Sequence, residues 1–339
     1  MRYPFFRLEA SIPQDDVALL ERAAQARTAL RAAIATRVVG QDEVVDAMLV
    51  ALLARGHALL VGVPGLAKTL LVATLAQALD LSFGRVQFTP DLLPADITGT
   101  DVLEEDPEAG RRRLRFAPGP IFANLILADE INRTPPKTQA ALLQAMQERR
   151  VTSGTHTHDL PDPFQVFATR NPIEQEGTYP LPEAQLDRFL LEVHVGYPSV
   201  DEEREIARRT TSGKLEEVPR ALTVDELRAL QALVPRMPVT DAALDLAVRL
   251  ARLTRPEEKG APAIVTKYVR FGAGPRGSQA LVLAAKARAA LRGEAAVEPE
   301  DVLNLAVAVL RHRLVLSYRA EADGVHDVDV VRGVQEAVR

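Results

Sequence analysis

Residues 62–69 read Gly-Val-Pro-Gly-Leu-Ala-Lys-Thr and close the apolar run HALLVGV at 57–63. The phosphate-loop pattern G-x-x-x-x-G-K-[ST] is met at Gly62, Lys68 and Thr69, with Ala67 where a second glycine is usual. Gly62 and Gly65 permit a tight turn. The amides of Gly62, Val63, Pro64–Leu66, Ala67, Lys68, Thr69 and Leu70, proline's nitrogen excepted, can then face phosphate oxygens at a helix start. Lys68 suits the outer phosphates of ATP, and the Thr69 hydroxyl suits Mg²⁺. A second apolar run, LILADE at 125–130, ends in two carboxylates. Asp129 is placed to hold the Mg²⁺ shell and Glu130 to orient and deprotonate water. A third, FATRNP at 167–172, carries Asn171 just past its end, for the attacking water or the terminal phosphate. The chemistry this set can do is phosphoryl transfer from ATP to water.

For these groups to meet, their strands must lie parallel in one sheet, because ligands bind beyond the carboxyl ends of such strands. The pattern predicts that sheet. Strand-like runs at 57–63, 85–88, 124–128, 164–169 and 189–195 alternate with helical segments, as in a doubly wound α/β fold. Helices are expected over 16–37, 41–55 and 69–79. Two hairpins interrupt the alternation. One spans 101–116, turning at Asp106-Pro107 and Gly110; the other spans 149–160, turning at Ser153-Gly154. After about residue 197 the strand signals stop. Helices are expected at 222–234, opened by the capping-box pair Thr223 and Glu226, and at 241–254, 278–291 and 299–314.

The chain has 339 residues, enough for two cores, with 47% hydrophobic and 26% charged residues. Its net charge of −5 and 4% aromatic content argue against a duplex-binding protein or a stacking platform for single strands. It contains no cysteine, so disulfides, iron–sulfur clusters, thiolate zinc sites and cysteine nucleophiles are excluded. Six of the 41 basic residues are lysine, which makes a single arginine weak grounds for a role. No apolar leader opens the sequence and no apolar run approaches the ~20 residues that span a bilayer, so a cytoplasmic location is expected.

The motifs together resemble the MoxR family of AAA+ ATPases, densely from about 37 to 200. The blocks are VVGQ at 38–41, GVPGLAKT with its Ala67, LPADITGT at 93–100, residues 117–149, and NPIEQEGTYPLPEAQLDRF at 171–189. GAGPRGSQAL at 272–281 and LRHRLVLSY at 310–318 are similar more loosely. Arg170 departs from the family, which usually has Gln before the sensor Asn.

The resemblance implies a first unit over 1–200, made of N-terminal helices plus an AAA+ P-loop nucleotide-binding α/β core with hairpin insertions at about 99–118 and 149–162. A C-terminal all-α lid would occupy 201–339. It also implies that Val39 and Gly40 flank the adenine. Arg188 would be an arginine finger that reaches the next subunit's ATP. Arg276 would be the sensor 2 arginine, contacting nucleotide in its own subunit or across the boundary. ATP/ADP and Mg²⁺ are the implied cofactors, and self-assembly into a ring, a hexamer, is the implied state. A von Willebrand factor A domain protein is the implied partner. The implied work is chaperone-like maturation or activation of a client protein, through the hairpin at 149–160 or the lid. The alternatives are a nucleic-acid motor and the motor subunit of a chelatase-like complex.

Two weaker signals remain. His156 and His158 would share one face of a strand, as metal ligands or as solvated side chains. Arg111, Arg112 and Arg113 would form a nucleic-acid contact or a charge-paired hairpin face.

Overall fold

The computed structural model describes residues 14–105, 112–173, 177–211 and 216–339. In chain order the core elements are α1 (Gln14–Ala35), α2 (Asp42–Leu53), β1 (His57–Val61), α3 (Lys68–Ala78), β2 (Phe83–Gln87) and α4 (Pro94–Thr98). They continue with β3 (Gly99–Glu105), β4 (Arg112–Pro118), β5 (Leu125–Asp129), α5 (Pro136–Glu148), β6 (Arg150–Ser153), β7 (His156–Asp159), β8 (Gln165–Arg170), α6 (Glu183–Leu186) and β9 (Phe189–His194). Then follow α7 (Val200–Thr210), α8 (Val224–Leu233), α9 (Asp241–Leu253), α10 (Ala263–Tyr268), β10 (Val269–Phe271) and α11 (Pro275–Arg292). The last are α12 (Pro299–Leu310), β11 (Val315–Leu316), α13 (Tyr318–Ala322) and α14 (Asp327–Val338).

Five strands form one parallel sheet in the order β2-β5-β8-β1-β9. All five residues of β1 are buried, as are Leu125–Ala128 of β5. Strands covered on both faces need continuous apolar runs, which is why these segments were legible without alternation. The hydrophobic core divides on the two faces of the sheet. Leu60 and Leu127 pack with α1–α3 and the C-terminal helices; Leu59 and Ile126 pack with α5 and Ile97.

Both hairpins are present. β3 pairs with β4 and β6 with β7, antiparallel, and the Ser153 hydroxyl donates to Asp101 Oδ2 at 2.9 Å, joining them. The Asp106-Pro107 and Gly110 turn and Arg111 lie outside the described residues, as do the side chains of Arg112 and Arg113. His158 stacks on Phe116 with ring centroids 3.9 Å apart, so aromatic packing accounts for its position. Among the described residues no group of three or more His, Cys, Asp or Glu is placed to hold a metal ion, and no helix is long and apolar enough to cross a membrane.

The C-terminal region is helical, with one short antiparallel pair, β10–β11, where strand signals were expected to have stopped. It is fastened to the core along β9 by consecutive residues. Arg311 Nε lies 3.5 Å from the buried Glu192 and its NH2 2.8 Å from Asp327. His312 Nε2 lies 3.1 Å from the Phe189 carbonyl. Arg313 donates to Asp187 at 2.9 Å and to the Phe189 carbonyl at 2.7 Å.

Candidate functional site

The loop after β1 is shaped by close approaches. A Cβ on Gly62 would lie 2.7 Å from the Val195 carbonyl oxygen, so only glycine fits there. Gly65 has φ +87°, and Ala67 has φ 58° and ψ 18°. Ala67 therefore holds the left-handed conformation for which the pattern favours glycine, at a cost of roughly 1–2 kcal/mol. The chain then enters α3 at Lys68, whose first amides lack intrahelical partners. Lys68 Nζ donates to the carbonyls of Gly62 and Val63 at 2.5 and 2.8 Å. Burial pushes the Lys68 ammonium below its usual range, and the charges of Asp129 and Glu130 oppose that shift. Both carboxylates thus lie within electrostatic reach of the Lys68 ammonium.

Asp129 ends β5 and Glu130 follows in the left-handed region, φ 57° and ψ 50°. The neighbouring strand β2 is in register, Gln87 opposite Asp129. Its alternation turns Arg85 and Gln87 to one side and buries Val86. Arg85 donates to Asp129 Oδ2 at 2.7 Å and to Gln87 Oε1 at 2.8 Å. Gln87 donates to Glu130 Oε2 at 2.8 Å, and Arg133 Nε lies 3.2 Å from the same oxygen. On the other flank, Thr169 in β8 donates to Asp129 Oδ1 at 2.6 Å and accepts the Glu130 amide at 2.8 Å. Asn171, 6% exposed, follows β8, and its Oδ1 accepts the Ile173 amide at 3.2 Å. Arg170 turns away to Glu192 at 3.7 Å, while its carbonyl accepts the Gly62 amide at 3.2 Å.

The sheet therefore brings Gly62–Leu70, Asp129, Glu130 and Asn171 to the carboxyl edge of three adjacent strands. Of the Val39–Gly40 segment, Gly40 lies against α7, which follows β9. Gln41 Nε2 donates to the Gly196 carbonyl at 3.0 Å, and a Cβ on Gly40 would collide with the Glu202 carboxylate. The hydroxyl of Thr69 and the carboxylate of Asp129 are hard oxygen donors, the kind Mg²⁺ takes. A separate cavity of about 870 Å³ lies between α2, the end of β9 and α12, bordered by Gln41, Glu192, Gly196 and Arg311; none of residues 62–70 lines it.

Arg188 and Arg276 do not join this set. Arg188 directly precedes Phe189, which pairs with His57 at the amino end of β1. From His57 to Gly62 is five steps, about 16 Å at roughly 3.3 Å each. That is beyond the reach of an arginine side chain. Arg276 lies with Arg188 instead. Both line a cavity of about 250 Å³ with His57, Met146, Gln147 and Asp187, and Arg276 NH1 is 3.4 Å from Asp187. His57 is buried there, and its burial lowers its pKa to about 4; Nε2 lies 3.2 Å from the Met146 carbonyl and Nδ1 accepts the Val166 amide.

Arg85, Gln87, Arg133 and Thr169 were not singled out from sequence. The alternation of Arg85 and Gln87, and the two-residue spacing of Thr169 and Asn171, place each pair on one strand face, the only available signal.

Comparison with known proteins identifies the family and the fold. A family model described as ATPase family associated with various cellular activities (AAA) matches residues 57–191, and one described as AAA lid domain matches 261–334. Chaperone MoxR1 of Mycobacterium tuberculosis is 47% identical over 303 residues, 89% of this chain and 78% of that protein. Protein MoxR of Paracoccus denitrificans is 36% identical over 296 residues, 83% of this chain and 86% of that protein. A crystal structure of a proposed ATPase from Cytophaga hutchinsonii superposes with a TM-score of 0.86 at 37% identity, covering 96% of this chain and 99% of that one. With its motifs, its sheet order and these relatives in agreement, the chain belongs to the MoxR family of AAA+ ATPases.

Proposed function

We propose that the chain hydrolyses ATP at sites completed between subunits of a ring, a hexamer, and uses the cycle for chaperone-like remodelling of client proteins. The observation that carries this reading is the separation of Arg188 and Arg276 from the phosphate loop of their own chain, across the full length of β1. Two cations beside one cavity and far from their own nucleotide are suited to a neighbour's. A head-to-tail interface that closes into a ring supplies one to every site.

In this reading the loop amides and Lys68 hold the phosphates. Thr69 and Asp129 would hold Mg²⁺, which neutralises charge on the phosphate oxygens when bound. Glu130, held by Gln87 and Arg133, orients a water in line with the γ-phosphorus and takes its proton as the new P–O bond forms. The bond to the β-phosphate oxygen breaks, and ADP leaves with that electron pair. Asn171 fixes the water or the γ-phosphate from β8. Arg188 of the neighbour stabilises the transferring phosphoryl, a contribution worth roughly 10³–10⁵ in kcat. Leu103 and Leu114, exposed opposite each other on β3 and β4, and the β6–β7 hairpin are the surfaces offered to a client. A von Willebrand factor A domain partner would choose the client.

Glu130→Gln tests the hydrolytic part. It should bind ATP with about wild-type affinity, measured by calorimetry, and lose turnover by at least ~10²-fold. Turnover near the wild-type rate would overturn the assignment.

A further inference from the structure

We propose that Thr169 is a positioning residue that sets both acids at the end of β5, a role that rests on the hydrolytic reading above. Thr169 is 1% exposed, and its hydroxyl sits between Asp129 Oδ1 at 2.6 Å and the Glu130 amide at 2.8 Å. The directions of these bonds are forced. An amide only donates, an ionised carboxylate only accepts, and a hydroxyl has one proton. The chain therefore runs from the Glu130 N–H to Thr169 Oγ1, and from the Thr169 O–H to Asp129.

Two consequences follow. Asp129 is held by one oxygen, so its other oxygen, Oδ2, is turned outward to Arg85 at 2.7 Å. The Glu130 amide is held while its backbone stays in the left-handed region, which side chains with a Cβ avoid. That turn is what brings the Glu130 carboxylate to Gln87 at 2.8 Å and Arg133 at 3.2 Å. Without the hydroxyl, the amide loses its partner, and the strained turn keeps only the bond of the Arg133 amide to the Glu130 carbonyl at 2.9 Å and the contacts of the carboxylate itself. The orientation of Glu130 and Asp129 then loosens together, because the remaining contacts of both acids come from the exposed side of the sheet edge. The phosphate loop is untouched, because Lys68 is held by Gly62 and Val63. The loss should fall on turnover and not on nucleotide binding.

Thr169→Val removes the hydroxyl at nearly constant volume, and Thr169→Ser keeps it. In the full-length protein, Thr169→Val should lower kcat by ~10–100-fold, with KM for ATP within about threefold of wild type. Hydrogen exchange of the Glu130 amide should quicken by at least ~10-fold in Thr169→Val. Thr169→Ser should retain most of the turnover and the slow exchange. If Thr169→Val does not fold, Thr169→Ala carries the same comparison. Wild-type kcat in Thr169→Val overturns the proposal, and so does unchanged Glu130 exchange or a Ser variant as impaired as Val. A wild type without ATPase activity would fail the hydrolytic reading alone, because amide exchange reports on the positioning without turnover.

Discussion

Replacing Asp187 by alanine should cost more than an ordinary partly exposed substitution, and the structure sets the size. Asp187 precedes Arg188 and accepts from Arg313 Nε at 2.9 Å. The Arg313 side chain is 4% exposed; burial pushes its guanidinium below the usual range, and Asp187 opposes that shift. Removing the acid leaves a cation inside the protein, and breaking a buried pair from one side costs about 3–5 kcal/mol. The carbonyls of Val309, Phe189 and Leu190 still accept from Arg313, so the lower end, ~3 kcal/mol, is expected. The second contact of Asp187, with the 63%-exposed Arg276, adds little. At roughly 2–4 °C per kcal/mol the melting temperature falls by about 6–12 °C. Urea unfolding of the wild type, Asp187→Ala, Arg313→Met and the double variant gives the coupling directly. Arg313→Met removes the buried cation, so Asp187→Ala in that background should cost at least ~2 kcal/mol less than in the wild type. A coupling below ~0.5 kcal/mol would refute the reasoning that Asp187 neutralises Arg313.

Two further outcomes follow from backbone strain and buried histidine. Ala67→Gly should stay within about 1 kcal/mol of wild type, because relief of left-handed strain offsets the greater freedom of glycine in the unfolded chain. Ala67→Val, β-branched at the same φ, should cost more than ~1 kcal/mol and weaken nucleotide binding; equal stability and affinity in the two variants would contradict this. The lowered pKa of His57, about 4, means that the unfolded chain takes up its proton first. Its contribution, up to ~3 kcal/mol, is complete above pH ~6.5 and is lost as pH falls toward 4. His312, lowered by burial, works in the same direction. Urea midpoints from pH 7 to 4.5 should fall; a flat profile would contradict it.

What the sequence made legible was local and repetitive. HALLV and LILA read as buried strands because every residue is apolar, and the Thr223–Glu226 box forms as spaced, with mutual bonds of 3.2 and 2.8 Å. Lys68, Thr69 and Asp129 stand out in the sequence because each lies in a contiguous motif. α7 does not, because VDEEREIARRT has no apolar stripe and buries none of its residues. Its support is the Ser199 capping box and ion pairs such as Arg209–Glu205. β10 and β11 are too short for a period to show. Arg85, Gln87 and Thr169 reach the acids only across neighbouring strands, so their role depends on sheet order, which no local pattern encodes. The contact of Arg313 with Asp187 spans 126 residues and was invisible for the same reason.

The central claim, that each ATP is completed by the next subunit, is tested by mixing two inactive variants. Arg188→Ala keeps its own acids and lacks the cation; Glu130→Gln keeps the cation and lacks the base. In a ring assembled at random from equal amounts, roughly a quarter of the interfaces pair an intact site with an intact arginine, so mixing should restore about a quarter of wild-type turnover. If Arg188 served its own chain, every site would lack one group, and the mixture would stay as inactive as its parts.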